Sequence, residues 1–242
     1  MSELEGCAII LFSRVPIEGK VKKRLEPILS ASECAVLQEA MALDIASKLA
    51  TLDVPLLLSY SDEWRGVEGG ESIRDAFIVK VSEAASSAPF FKAIRQQGEE
   101  LGERMAHAMQ ETFDLGASSC LLMGSDLPCI MRNDIELAQR ALSYSDVVLG
   151  PTEDGGYWLV GSRTPFPQMF EGKTYGSHTV LTEAVSTCRR YGLSVSLSRE
   201  TFDVDEPNDY YQLCNQVTMG DFRLGWRTIE AVRHLMSVSA GN

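Results

Sequence analysis

Short apolar runs bounded by turn formers recur along this chain, with stretches of helical spacing between them. Cys7-Ala8-Ile9-Ile10-Leu11-Phe12 and Cys120-Leu121-Leu122-Met123 are continuous apolar runs, the pattern of strands buried on both faces. Val54–Leu58, Phe90–Ile94, Val147-Val148-Leu149, Tyr157–Val160 and the alternating Leu193–Leu197 read as further strands. Ser30 and Glu33 form a capping box before Cys34, Leu37, Met41, Ile45 and Leu49, an amphipathic helix whose stripe belongs to the core.

More helical patterns follow. From Glu99 they run through Leu101, Met105, Ala108, Met109 and Phe113 to a C-terminal Gly116. Another helix carries Ile135, Ala138 and Leu142 with Asn133 as its cap, one runs from about Val180 to Arg190 and closes at Gly192, and the last carries Trp226, Ile229, Val232 and Leu235. The stretch from Trp64 to Ala88 is broken by Gly66, Gly69 and Gly70, and Ile73, Ala76 and Phe77 give it only a short helix. Between Leu149 and Tyr157 the turn Gly150-Pro151-Thr152-Glu153-Asp154-Gly155-Gly156 joins two runs as a hairpin-like excursion, so the sheet is expected to be mixed, not purely parallel. With no repeat, low-complexity tract or linker, residues 1–242 are expected to form a single α/β domain.

Composition narrows the classes. The 242 residues are 45% hydrophobic, enough for a full core, and carry net charge −12, which argues against nucleic-acid or anionic-membrane partners. The six cysteines are scattered and never form CxxC, as in reduced core thiols of a cytoplasmic protein. The three histidines stand apart from one another, so a zinc motif is absent. The opening apolar run is too short, and its flank too acidic, for a signal peptide, and no segment is long enough to span a bilayer.

Against that acidic background, five of the 22 basic residues crowd into the eleven positions from Arg14 to Arg24, a loop marked by Pro16, Gly19 and Pro27. Asp126 stops the run ending at Met123-Gly124-Ser125, and Phe202-Asp203-Val204-Asp205-Glu206-Pro207-Asn208-Asp209 places four acids where a strand should end and a helix begin. Asp205 and Asp209 are also natural helix caps. All three segments follow predicted strands and so can converge on the ligand-binding edge of an α/β sheet. A cationic loop there can hold phosphate oxygens, and separated carboxylates can hold a hard divalent ion. Together they describe a transferase site for a phosphorylated, nucleotide-type substrate. Neither GxxxxGK[ST] nor a GxGxxG after a strand occurs.

These segments resemble the glycosyltransferase A-fold superfamily of nucleotide-diphospho-sugar transferases. Within it they resemble a family of bacterial transferases similar to molybdenum-cofactor and phospholactate nucleotidyltransferases. The shared motifs are Pro16, Gly19, Lys22, Arg24 and Leu25; Leu101-Gly102-Glu103-Arg104-Met105; Gly124, Asp126 and Pro128; Gly150 to Tyr157; and Asp203 to Asp209. The chain departs at Lys23, where the family usually has Thr, and at Tyr175-Gly176, where it has Trp-Ser. The resemblance implies a three-layer α/β/α domain with a mostly parallel mixed sheet. It implies nucleotide contacts at Arg14, Gly19, Lys20, Lys22, Arg24 and Ser125, with Asp126, Lys22 and Arg24 as catalytic groups. Mg²⁺ or Mn²⁺ would be held by Asp126, Asp203 and Asp205, and an acceptor would face Asp154, Gly155, Gly156 and Tyr157. The reaction would be glycosyl transfer from a nucleotide sugar or nucleotidyl transfer from a triphosphate. The two departures support a different reading, a non-catalytic nucleotide-binding regulatory domain.

Overall fold

Side chains alternate between the two faces of the strands, and both faces are buried. A computed structural model describes residues 3–239. Among them, seven strands form one sheet in the order β3-β2-β1-β4-β6-β5-β7. The strands are β1 (Cys7–Ser13), β2 (Leu56–Tyr60), β3 (Phe91–Arg95), β4 (Ser119–Gly124), β5 (Val147–Pro151), β6 (Tyr157–Ser162) and β7 (Val195–Leu197). The helices are α1 (Ala31–Ala50), α2 (Gly70–Ala84), α3 (Leu101–Asp114), α4 (Arg132–Ala141), α5 (Val180–Arg190), α6 (Pro207–Met219) and α7 (Trp226–Ser239). Ile9, Leu11, Leu121, Met123, Val148 and Leu159 point to one face, under α1, α2 and α4. Their neighbours Ala8, Ile10, Cys120, Leu122, Leu149 and Val160 point to the other, under α3 and α5. Because both faces are covered, the central strands read as unbroken apolar runs.

The expected mixed sheet is present. β1 is parallel to both β2 and β4, and β6 lies antiparallel between β4 and β5. A third core cluster packs the outer side of α1 (Cys34, Leu37, Met41) against Leu213 and Val217 of α6 and Val232 and Leu235 of α7. Asp44 on α1 accepts the Thr228 N–H at 2.8 Å and so ties the start of α7 to α1.

Several sequence expectations shift. The stretch after Trp64 holds a full 15-residue helix, α2, started by Gly69 in the left-handed region. It was illegible because only Gly70, Phe77 and Val81 are buried, too thin a stripe to show a period. Asn133 is not a cap: α4 begins at Arg132, and Asp134 accepts the Met131 N–H at 2.9 Å. Asp209 lies inside the first turn of α6, where it accepts the Asp205 and Glu206 N–H groups at 3.0 and 2.7 Å.

The topology also locates a crevice. The chain travels from β1 to β2 and β3 on one side, then returns to place β4 on the other side of β1. Loops leaving the carboxyl ends of β1 and β4 therefore part at a topological switch point, the usual ligand site of such sheets.

Candidate active site

At that switch point Phe12 pairs with Gly124, so the residues after β1 and β4 emerge side by side. Ser13, Ser125 and Gln38 form a buried polar knot: the Ser13 hydroxyl donates to Ser125 Oγ at 3.0 Å, and Gln38 Nε2 donates to Ser125 Oγ at 2.9 Å. Gln96 Nε2 donates to the Ser59 carbonyl at 2.9 Å and the Ser13 carbonyl at 3.3 Å, which locks the ends of β1 and β2 together. These bonds tie the floor of the crevice together.

On it stands Lys22. Its backbone is left-handed at φ 49°, an uncommon conformation for a residue with a side chain. Its ammonium, 2% exposed, lies 2.6 Å from Asp126 Oδ2 and donates to the Val204 carbonyl at 2.6 Å. The Val204 N–H in turn donates to the Asp126 carbonyl at 3.0 Å. One lysine thus stitches together the three segments that the sequence singled out. Arg24 lies further out, 2.9 Å from Asp205 and 3.5 Å from Glu206.

Two adjoining cavities share the Gly124–Asp126 wall. One, of about 490 Å³, is lined by Arg14, Lys22, Lys23, Arg24, Arg104, Ser125 and Asp205 among others. Its cations suit phosphate oxygens. The other, of about 210 Å³, is lined by Asp126, Asp154, Asp203, Gly156, Tyr157 and Tyr175 together with apolar residues. The turn after β5 shapes it: Asp154 Oδ1 accepts from the Thr152 hydroxyl at 2.5 Å and the Gly156 N–H at 3.0 Å. Gly155 has φ +86°, and a Cβ there would lie 2.3 Å from the His178 carbonyl oxygen. Burial, then the neighbouring Asp126 charge, pushes the Asp203 carboxyl up to about 6. Burial pushes the Tyr175 hydroxyl up to about 12 and that of Tyr157 well above its ordinary value.

Arg14, Lys22, Arg24 and Ser125 therefore line one cavity, and Asp154, Gly156 and Tyr157 the other. Gly19, Lys20 and Gly155 line neither; Lys20 is exposed, and its carbonyl accepts a bond from Arg14 at 3.2 Å. The three acids expected to share an ion are divided: Asp203 faces the small cavity with Asp126, while Asp205 faces the large one and pairs with Arg24. Among the described residues no three Asp, Glu, His or Cys side chains converge as a metal cage.

Gln38, Glu63, Gln96 and Arg104 also line the large cavity. Gln38 was hidden inside the apolar stripe of α1, where a buried polar residue breaks no period. Arg104 could have been found from its place at the start of a helix following β3.

Comparison with known proteins bears on the fold and the family. Residues 73–177 match a family described as uncharacterized proteins conserved in bacteria. The chain is 31% identical to a candidate nucleotide-diphospho-sugar transferase from Desulfovibrio desulfuricans G20, covering 100% of this chain and 98% of that one at a TM-score of 0.79. It is 26% identical over 227 residues to 3-phospho-D-glycerate guanylyltransferase of Phenylobacterium zucineum (strain HLK1), covering 85% of this chain and 93% of the relative. The inositol-1-phosphate CTP transferase of T. maritima shares the fold, with a TM-score of 0.51 at 12% identity and 97% coverage of each chain.

Proposed function

This chain belongs to the nucleotide-diphospho-sugar transferase superfamily, and from that premise we propose that it is a nucleotidyltransferase. It transfers a guanylyl or related group from a nucleoside triphosphate to a phosphorylated acceptor. The observation that carries this reading is the pair of cavities with opposite character meeting at Asp126. Five cations, Arg14, Lys22, Lys23, Arg24 and Arg104, line the larger one against three carboxylates, Glu63, Asp126 and Asp205, a net positive lining suited to the charge of a triphosphate. The 3-phospho-D-glycerate guanylyltransferase relative supports the same reaction class. In that reaction an oxygen of the acceptor phosphate attacks the α-phosphorus. The bond from that phosphorus to the bridging oxygen breaks, and pyrophosphate leaves with the electron pair.

A divalent ion fits the residues present in part. Asp126 and Asp203 are hard oxygen donors on one cavity, and their mutual repulsion would be relieved by a cation between them. Two carboxylates, with water and phosphate completing the shell, match the habit of Mg²⁺ better than a closed protein cage. Mg²⁺ or Mn²⁺ bound there would neutralise charge on the transferring phosphate. Asp205, paired with Arg24, serves the cationic side. Lys22 holds Asp126 in place and offers its charge at the junction of the two cavities. A cytoplasmic setting suits a triphosphate user whose six cysteines are all unpaired.

Product analysis tests the reading. With Mg²⁺, guanosine triphosphate and a phosphomonoester, pyrophosphate and a nucleoside-diphosphate-linked product are expected. The 31% identical relative favours a second reading, glycosyl transfer. Release of nucleoside diphosphate from a nucleotide sugar, without pyrophosphate from any triphosphate, would establish that reaction instead.

A further inference from the structure

We infer that the acceptor carries hydroxyl or amine groups, and no carboxylate, at the end remote from its reacting phosphate. This rests on the reading above that the smaller cavity receives the acceptor. That cavity is lined by three carboxylates, Asp126, Asp154 and Asp203, and none of its fifteen lining residues is Lys, Arg or His. The nearest ammonium, that of Lys22, is buried, already paired with Asp126, and lines the other cavity.

Charge balance makes the exclusion specific. Lys22 already offsets Asp126, and a divalent ion held by Asp126 and Asp203 would offset Asp203 and one charge of the acceptor's phosphate, so no positive charge is left over for a second acid. Asp154 then remains. Its Oδ1 is engaged by Thr152 and Gly156, while Oδ2 takes part in none of the hydrogen bonds among the described residues, leaving an acceptor for an incoming O–H or N–H. Tyr157 and Tyr175, whose hydroxyls lie 3.4 Å apart, supply neutral polar groups and ring faces, a lining suited to polyols and amines. His178 flanks the turn with Nδ1 2.7 Å from the Asp154 carbonyl oxygen, but it is not in the lining. Lys173 belongs to a neighbouring cavity beyond Tyr175. A carboxylate placed here would meet like charge with no cation to receive it. At about 210 Å³ the space is smaller than pockets of roughly 300–1,000 Å³ that hold drug-sized ligands, so the group is small.

Two matched pairs of acceptors test this: glycerol 3-phosphate against 3-phosphoglycerate, and phosphoethanolamine against phosphoglycolate. Within each pair a hydroxymethyl or aminomethyl end replaces a carboxylate. Calorimetry on the full chain, with Mg²⁺ and a non-hydrolysable guanosine triphosphate analogue, should show the non-acidic member of each pair binding at least about tenfold tighter. Asp154→Asn should shrink that discrimination about fivefold. Equal or tighter binding of the acids, binding of neither pair, or unchanged discrimination in Asp154→Asn would overturn the inference. Failure of the nucleotidyl reading is seen separately: the binding preference would stand while no pyrophosphate is released.

Discussion

Lys22 has a strained backbone, a buried charge and two short contacts to other segments, whereas Arg24 two positions later lies mostly in solvent. Their replacements should therefore differ in kind. Lys22→Met, which keeps the stem and removes the charge, should lower kcat by about 10²–10³-fold, the scale for losing one electrostatic stabiliser. Arg24→Ala should weaken triphosphate affinity by about tenfold and leave stability within about 0.5 kcal/mol, because exposed ion pairs contribute little. Calorimetry, steady-state rates and thermal melts on the two variants check both. Asp203 makes a prediction about pH. Its folded pKa, near 6, lies above that of an unfolded aspartate, so the folded state holds the extra proton. Its relative stabilising contribution is complete below about pH 4 and is lost as pH rises through 6. In chelator, Asp203→Asn should melt higher than the parent at pH 7.5, and the difference should close by about pH 4; a constant difference across that range would contradict it. Asp126 was legible in the sequence because a carboxylate ended an apolar run. The basic loop was expected beside it from the strand pattern, but which of its cations pairs with Asp126 was not, since local sequence does not fix side-chain direction.

The turn joining β5 to β6 shows how an element can be read correctly and still mislead about its own residues. Its Gly-Gly pair marked a tight hairpin connection, and the antiparallel pairing is there. The sensitive position is Gly155, with positive φ and the His178 carbonyl against its α-carbon; the contacts a Cβ would make at Gly156 begin at 3.1 Å. Gly155→Ala should therefore force the turn to move and cut transfer at least about tenfold while nucleotide affinity stays within twofold. Gly156→Ala should be the milder change. Parallel measurement of nucleotide binding and product formation distinguishes this from general unfolding, which would remove both. Long elements with one deep stripe, such as α1 and α3, were readable from period alone. α2 showed only a short helix, because it buries too few side chains to leave a full pattern, whereas the three-residue β7 was legible from its alternation.

At the scale of the whole molecule, the charge of −12 and the cationic crevice are compatible because five of the 22 basic residues sit in the loop after β1 that opens at the switch point. Lys48 extends that organisation beyond the crevice. Its half-buried ammonium donates to the carbonyls of Pro128, Ile130 and Arg223 at 2.9, 3.1 and 2.6 Å, tying the exit of β4 to the loop before α7. A single α/β domain with a mixed sheet was foreseeable from the strand and helix patterns, and its three-layer order from the family resemblance. The packing of α6 and α7 on the outer side of α1 was not, since apolar stripes do not name their partners.

The neighbouring placement of β1 and β4 has a consequence in time. Ser13 and Ser125, which touch in the floor of the site, are separated by 112 residues. Closing a loop of that length costs about 4 kcal/mol of chain entropy before any contact compensates. Strands β1, β2 and β3 with their connecting helices can dock earlier, since their contacts are closer in sequence. Val204, which bonds both Lys22 and Asp126, must arrive later still. Ligand affinity is thus acquired at the end of folding, not built up in proportion to structure. In stopped-flow refolding, recovery of nucleotide binding should trail recovery of helical circular dichroism, and coincident traces would show that the crevice forms together with the rest.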